Sequence, residues 1–465
     1  MKVASGTPDI VSFSRLPRLM QNAKTCAAES SRPVLVSSTE HFAEEIDPIN
    51  LFANSIRLHD ESYFWGIPVE QSWTIGAGTE ANVTVGGNDR FQRAKTSIEG
   101  IFNSSIVDGE GPLFIGGFRF DERSQPNGNW FGFYDGLLSL PRIVLSRSRH
   151  NTSSTLNVFV NGDTDVETSY TRILGELASL LGQPNSESAG SAAEVMEETP
   201  REQWRMGASR ALQAVKEGTL QKVTLARMAR AHSQLPIAPS RVLRSLVENY
   251  PQCHVFAIRR AGASFVGASP EELVSLHGNS VRSICLAGSA PRGVSEYEDS
   301  HFSEGLLGSA KEQEEHEIVV DWVSNRMGPL CRSLEWNKSP EVFRLGNVQH
   351  LATQFVGTAK DGTHVLDLVR ALHPTPAVGG MPLEPALEMI RRVEGFDRGW
   401  YTGPVGWVDR HGFGEFAIAL RCALIRESDA YLYAGAGIVS ASDADREYEE
   451  TTLKLKPLLT ALGVR

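Results

Sequence analysis

At 465 residues, with 41% hydrophobic and 22% charged side chains, the chain has ordinary globular composition and enough apolar mass for one large domain or two to three smaller ones. Its formal net charge of -11, with neither a basic run nor a basic stripe, excludes a typical nucleic-acid or anionic-membrane binder; an anionic substrate would need local cations. No uninterrupted apolar run approaches the ~18 residues that span a bilayer, and the N-terminal stretch lacks the apolar segment of a secretory signal.

A cytoplasmic protein is therefore expected. Residues 1 to 28 carry Lys2, Arg15, Arg18 and Lys24 against one acid, Asp9, and read as a disordered N-terminal extension, with a cleaved organellar leader as the alternative. Five scattered cysteines (Cys26, Cys253, Cys285, Cys331, Cys422) form no CxxC pair, which fits reduced thiols. From 29 to 182 the pattern is that of an α+β half. Short β-like runs (Tyr63 to Ile67, Gly111 to Phe120, Leu140 to Ser146, Thr155 to Val160) are separated by Gly/Asn/Asp turns, with helices at Asn88 to Ile101 and Tyr170 to Leu181. Gly76-Ala77-Gly78-Thr79-Glu80-Ala81 loosely matches a dinucleotide fingerprint, but no helix follows it; a turn or close-packed strand end is the better reading. Residues 183 to 200, rich in Ser, Gly, Ala and Glu, read as a linker.

The second half, 201 to 465, opens with a helix from Glu202 to Lys216, stopped by Gly218, and a strand from Lys222 to Arg227. Lys222 stands where a strand start can aim a side chain into a cleft. Desolvation there would favour the neutral amine that a catalytic base requires, although a strand-end lysine is more often a surface residue. Strands at His254 to Arg259 and Ser264 to Gly267 lead to Pro270, which breaks the strand and aims Glu271 outward; a shielded carboxyl there could act as a general acid. The strand from Ile284 ends in the small-residue loop Gly288-Ser289-Ala290. Further on come a strand carrying His350, a Pro/Gly connector from Leu372 to Pro382 and a helix from about Glu384. The strands Tyr401 to Val408, Gly414 to Leu424 and Ala430 to Ala436 and a helix from Ala444 to Leu462 complete the chain. His350 alone reads as a core histidine.

Two helices carry unusual acid. On the stretch Ser309 to Trp322, Glu312, Glu315 and His316 fall at i, i+3 and i+4 and share a face; near the C-terminus Glu447, Glu450 and Lys454, at i, i+3 and i+7, share another. Either both are solvated faces laced with Glu/Lys pairs, or they meet to make an all-oxygen site suited to Mg²⁺ or Ca²⁺ rather than zinc.

Taken together, Lys222-Val-Thr-Leu-Ala-Arg227, Gly267-Ala-Ser-Pro-Glu271, Leu286-Ala-Gly-Ser289, Lys311-Glu-x-x-Glu315-His316, His350-Leu351, Arg421-Cys-Ala423, Gly435-Ala-Gly-Ile438 and Glu447-x-x-Glu450-Thr-x-x-Lys454 resemble the chorismate-utilising enzymes. The match spans about 202 to 462, with an echo at Tyr63-Phe-Trp65 and Gly116 to Asp121. Within that family the connector Leu372 to Ala377 and Ser289 are most similar to the isochorismate synthases. Ala287 occupies the place of a nucleophilic lysine in aminodeoxychorismate synthases, which counts against that activity.

The resemblance implies one integrated α+β fold of two similar halves, with large, mainly antiparallel sheets face to face and helices outside. It implies that Glu315, Glu447 and Glu450, with Glu312 nearby, hold Mg²⁺ against the ring carboxylate of chorismate. Lys222 would activate water for attack at C2, and Glu271 would protonate the departing C4 hydroxyl. Arg421, Tyr401, Lys454 and the backbone of Gly435, Ala436 and Gly437 would take the enolpyruvyl carboxylate, with His350, Gly288 and Ser289 lining the ring pocket. The sequence departs from the family pattern at Cys285, Gln313 and Glu272, the last leaving the choice of acid between two neighbours. A salicylate synthase, an anthranilate synthase component I and a chorismate-binding protein without chemistry are the alternatives. No amidotransferase elbow is present for the second of these, and no heptad seam suggests an oligomer, so a monomer is expected.

Overall fold

The computed structural model describes residues 12–42, 46–124, 128–148, 151–182 and 192–464. Among them, twenty-one strands join in one hydrogen-bonded network. Among the described residues one pairing, Val34–Phe42 with Ile106–Asp108, is parallel, in keeping with the mainly antiparallel sheets expected. The network divides into two wings that spring from the first-half strands Ser72–Val85 and Gly136–Ser148. One wing runs Ser62–Ile67, His254–Arg260, Ala263–Ser269, Cys422–Arg426, Asp429–Ile438, Lys222–Ser233. The other runs Leu113–Phe118, Pro404–Asp409, Gly414–Ile418, Glu272–His277, Ser280–Pro291, Val348–Ala359. Each wing thus begins on a first-half strand and continues with second-half ones, so strands of both halves share the same sheets.

The wings pack face to face. Tyr63, Trp65, Phe256, Phe265 and Tyr433 of one meet Ile115, Val405 and Ala417 of the other across an aromatic layer that includes Trp130 and Trp400. Truncating one of these large rings to alanine would cost about 3–5 kcal/mol. On the outer faces two further cores bury the apolar stripes of the helices, including Leu455 and Leu458 of Ala444–Ala461 and Val319 and Val323 of Ala310–Met327. No helix among the described residues is long and apolar enough to cross a membrane.

Several readings of the sequence need correction. Residues 1–11 lie outside the described residues, but the next stretch is not disordered: helix Leu16–Ser30 buries Leu16, Met20, Ala23 and Ala27, an i, i+4, i+7, i+11 stripe made inconspicuous by its small residues. Strand Val34–Phe42 and helix Pro48–Leu58, capped by Asp47, were also unread. Residues 76 to 81 lie inside strand Ser72–Val85; Gly78, at φ +65°, forms a bulge where the register shifts between Thr79 and Ala81. Of the expected linker, 183–191 lie outside the described residues, whereas Ala193–Glu198 is a strand paired with Lys222–Ser233. The expected strand Gly414 to Leu424 is two, Gly414–Ile418 and Cys422–Arg426, parted at Arg421, whose φ is +46°.

Candidate active site

That break positions the site. The chain passes from one wing to the other at 269–272, next to Pro270, and again at 419–421. The two crossings are tied together: Ser269 Oγ donates to the Ile418 carbonyl (2.5 Å), Ile418 N–H to the Glu271 carbonyl (3.1 Å) and Ala268 N–H to the Arg421 carbonyl (3.1 Å). Glu271 and Arg421 therefore enter the same seam between the sheets from neighbouring bends. Glu271 is 3% exposed. Burial pushes its carboxyl up to about 8, against the opposing pull of Lys222, Lys454 and Arg421, so it is protonated at neutral pH. Its neighbour Glu272 does not line the seam; it lies 3.7 Å from Arg282, which resolves the choice between the two in favour of Glu271 as the carboxyl in the cleft.

Lys222 opens the last strand of the first wing, fully buried, with Nζ 3.0 Å from Glu315 Oε1. The adjacent strand supplies Gly435 and Gly437 to the cleft. A Cβ at Gly437 would collide with Glu315 Oε1 and crowd Lys222 Cε, so the lysine and carboxylate meet only over a glycine. Ala436, between them, turns its methyl into the helix-covered core instead, as strand alternation requires. Lys454, from the last helix, donates to the Gly435 carbonyl (2.9 Å) and pairs with Glu450 (2.5 Å). Tyr401 lines the same wall and stacks on Tyr433, ring centroids 5.2 Å apart.

On the second wing, His350 Nε2 accepts from one terminal guanidinium nitrogen of Arg421 at the crossing (3.2 Å). Burial, with Arg421 and Lys454 close by, drives the imidazole well below its usual range, so it is neutral. Because an arginine can only donate, Nε2 is the acceptor and Nδ1 carries the proton, which faces Ser289 Oγ (2.9 Å) and the Gly288 carbonyl (3.2 Å). His350 is thus both a buried, satisfied histidine and a wall of the cleft. His316, by contrast, turns away to bond Thr353 Oγ1 (2.8 Å).

The two acidic helix faces do meet. Glu315 and Glu450 reach the cleft; Glu312 and Glu447 line an adjoining recess that shares Ser289 and Glu450 with it. Lysines lie among the acids: Lys311 Nζ is 2.8 Å from Glu447 and 3.0 Å from Glu312. Burial and the nearby Glu450 raise the Glu447 carboxyl, while Lys454 and Lys311 overcome burial and lower Glu450. Burial would likewise raise Glu315, but Lys222 and Lys311 hold it below the usual range. Among the described residues no three acidic, imidazole or thiol groups stand ready as a closed metal cage. The donor set nevertheless fits a hard divalent cation. It is all oxygen, its carboxylates crowd one another, and their charge is offset by lysine side chains long enough to swing aside.

Of the three departures from the family pattern, Cys285 is buried in the outer core and Gln313 reaches back to the Leu307 carbonyl, so neither touches the cleft. Thr224, Ala377, Val378, Thr402 and Leu420 also line it and were not foreseen. Thr224 was recoverable, being two residues beyond Lys222 on the same strand face; Thr402, at φ +61°, carried no sequence signal. A larger cavity of about 960 Å³ lies at the first-half surface, beside Arg93, Trp130 and Phe131. It lacks an amine opposite a protonated acid, and the chemistry belongs to the seam.

A buried proton donor, a buried lysine, the cations Arg421 and Lys454, and carboxylates divided between the seam and the recess beside it define an acid–base enzyme for a small polyanion. The chain belongs to the chorismate binding enzyme family, whose model matches residues 20–463. It is 34% identical over 449 residues to isochorismate synthase MenF of Bacillus subtilis, covering 94% of this chain and 95% of that one. It is also 34% identical to the salicylate biosynthesis isochorismate synthase of Pseudomonas aeruginosa, over 93% of this chain and 91% of that one. Among solved structures it resembles a putative 2,3-dihydroxybenzoate-specific isochorismate synthase of Bacillus anthracis (TM-score 0.72, 28% identity, 88% of this chain and 100% of that one). It shares the fold of Escherichia coli MenF (TM-score 0.78, 24% identity, 96% and 99% covered).

Proposed function

We infer that this chain is an isochorismate synthase, an isomerase that reversibly converts chorismate to isochorismate. The observation that carries the reading is a cleft carboxyl, Glu271, held protonated by burial, with the buried Lys222, itself paired to Glu315, as the strongest charge acting on it. Allylic exchange of hydroxyls needs such an acid and such an amine. Lys222, acting as the free amine, accepts a proton from water as its oxygen bonds to C2, the ring double bonds shift, and Glu271 gives its proton to the C4 hydroxyl as that leaves as water. One water enters and one departs, so the net change is isomerisation. Arg421 and Lys454 hold the enolpyruvyl carboxylate beside Tyr401, and neutral His350 keeps Arg421 and Ser289 in place.

Glu315, Glu450 and Glu447, with Glu312 at the edge, would hold Mg²⁺, which supplies positive charge for the ring carboxylate in a protein whose own net charge is -11. We place the enzyme in a reducing cytoplasm, which suits five unpaired cysteines, and as a monomer. The test incubates purified protein with chorismate and Mg²⁺, with and without ammonium, and with EDTA. A chorismate–isochorismate mixture, lost with EDTA and indifferent to ammonium, is expected. Salicylate plus pyruvate would move the chain to the lyases, and unchanged chorismate would remove the enzymatic reading.

A further inference from the structure

One fully buried ion pair outside the seam is not used by that chemistry. The Lys222–Ser233 strand is paired along one edge by Asp429–Ile438. On its other edge it has Gly380–Met381 at 222 and 223 and Ala193–Glu198 from 229 onward, which leaves 224 to 228 without a strand neighbour. Glu394 and Arg398 fill the gap. The Ala226 N–H donates to Glu394 Oε1 (2.7 Å), and Arg398 donates to the Thr224 carbonyl (2.7 Å) while Nε bonds Glu394 Oε2 (2.8 Å). The same guanidinium donates to the Val378 carbonyl (2.8 Å) and Thr402 Oγ1 (3.3 Å), and lies 4.4 Å over the Phe120 ring. Thr224, Val378 and Thr402 each line the cleft, and each belongs to a different segment: the strand that carries Lys222, the Pro/Gly connector, and the bend that carries Tyr401.

We propose that Glu394 and Arg398 are positioning residues that fix the Lys222 strand at its distance from the connector and from Tyr401. The pair touches no reacting atom. The inference rests on the reaction proposed above for the seam. A planar guanidinium with donors on several sides suits one side chain bridging three backbone segments, whereas a lysine ammonium would lose most of those bonds. Replacing both members of a buried pair avoids the uncompensated buried charge that removing one of them would leave, so a folded double variant separates positioning from folding.

The experiment measures kcat, KM and the thermal midpoint for Arg398→Lys and for the double variant Glu394→Gln/Arg398→Met, in which the glutamine carbonyl still accepts the Ala226 N–H. With reacting groups displaced by about 1 Å, kcat should fall about 100-fold in the double variant and about 10-fold in Arg398→Lys, with KM changing less than about threefold. The double variant should stay folded at the assay temperature by circular dichroism, with a thermal midpoint lowered by several degrees because the Thr224 and Val378 carbonyls lose their donor. Wild-type kcat in either folded variant would overturn the proposal, as would a loss that merely follows the unfolded fraction by circular dichroism. A wild-type protein that leaves chorismate unchanged would instead fail the reaction assigned to the seam.

Discussion

Replacing Glu271 with glutamine should abolish turnover and at the same time stabilise the fold above neutral pH. The carboxyl rises from 4.5 to about 8 in the folded protein because burial disfavours its charged form. At 1.36 kcal/mol for each tenfold change, that difference of about 3.5 corresponds to about 5 kcal/mol. The sign follows from proton binding: between 4.5 and 8 the folded protein keeps a proton that the unfolded chain has released, so this group's favourable contribution is present below 4.5 and drains away as pH rises to 8. Glutamine has no such proton. Glu271→Gln should therefore match wild type near pH 4.5 to 5 and exceed it by up to about 5 kcal/mol at pH 8.5. With about 2.1 cal/mol/K of unfolding entropy per residue, this is a midpoint difference of about 5 °C for a chain of 465 residues. Thermal melts of both proteins from pH 5 to 8.5 read the difference directly, and kcat should fall by about 10²–10⁴ across the range. A midpoint difference that does not change with pH, or a variant retaining a tenth of wild-type kcat, would refute the reasoning.

Wild-type kcat/KM should decline as pH passes through about 8 and the acid is lost, a limb that stopped-assay rates at pH 6.5 to 9 will show or fail to show. Lys222→Ala should lose about 10²–10⁴ in kcat with the fold intact by circular dichroism; unchanged turnover would remove Lys222 as the base. Gly437→Ala should have a comparable effect, because its methyl forces Glu315 and Lys222 apart; full activity would mean that their contact does not matter. Glu450→Gln should weaken Mn²⁺ binding, read by electron paramagnetic resonance without substrate, at least about tenfold. Equal binding would place the cation elsewhere.

The candidate site was more legible than the frame around it, for physical reasons. Glu312, Glu315, Glu447 and Glu450 were readable because helical spacing places them on one face whatever the tertiary context. Lys222 and Glu271 stood at a strand start and a proline break, where local chemistry announces an exit from the sheet. Arg421 could be named by its motif, but not the bend that delivers it. Gly414 to Leu424 reads as one apolar strand, and the crossing at 419–421 is fixed by its partners Ala268 and Glu271. Glu394 and Arg398 lie four residues apart and look like a surface helix pair. Only the missing strand neighbour beside Thr224 and Ala226 makes them buried and necessary. The helix Leu16–Ser30 was missed because its buried stripe is half alanine, too weak a signal against its charged surroundings.

The most direct test of the central claim is the origin of the new hydroxyl. Chorismate should be converted in H₂¹⁸O under single-turnover conditions and the isochorismate analysed by mass spectrometry. If Lys222 activates water at C2 while Glu271 expels the C4 hydroxyl, the product gains one ¹⁸O, located on C2, and the unlabelled oxygen leaves as water. Unlabelled isochorismate would mean that the hydroxyl migrates within the substrate, and the acid and base of the seam would have no part in the exchange.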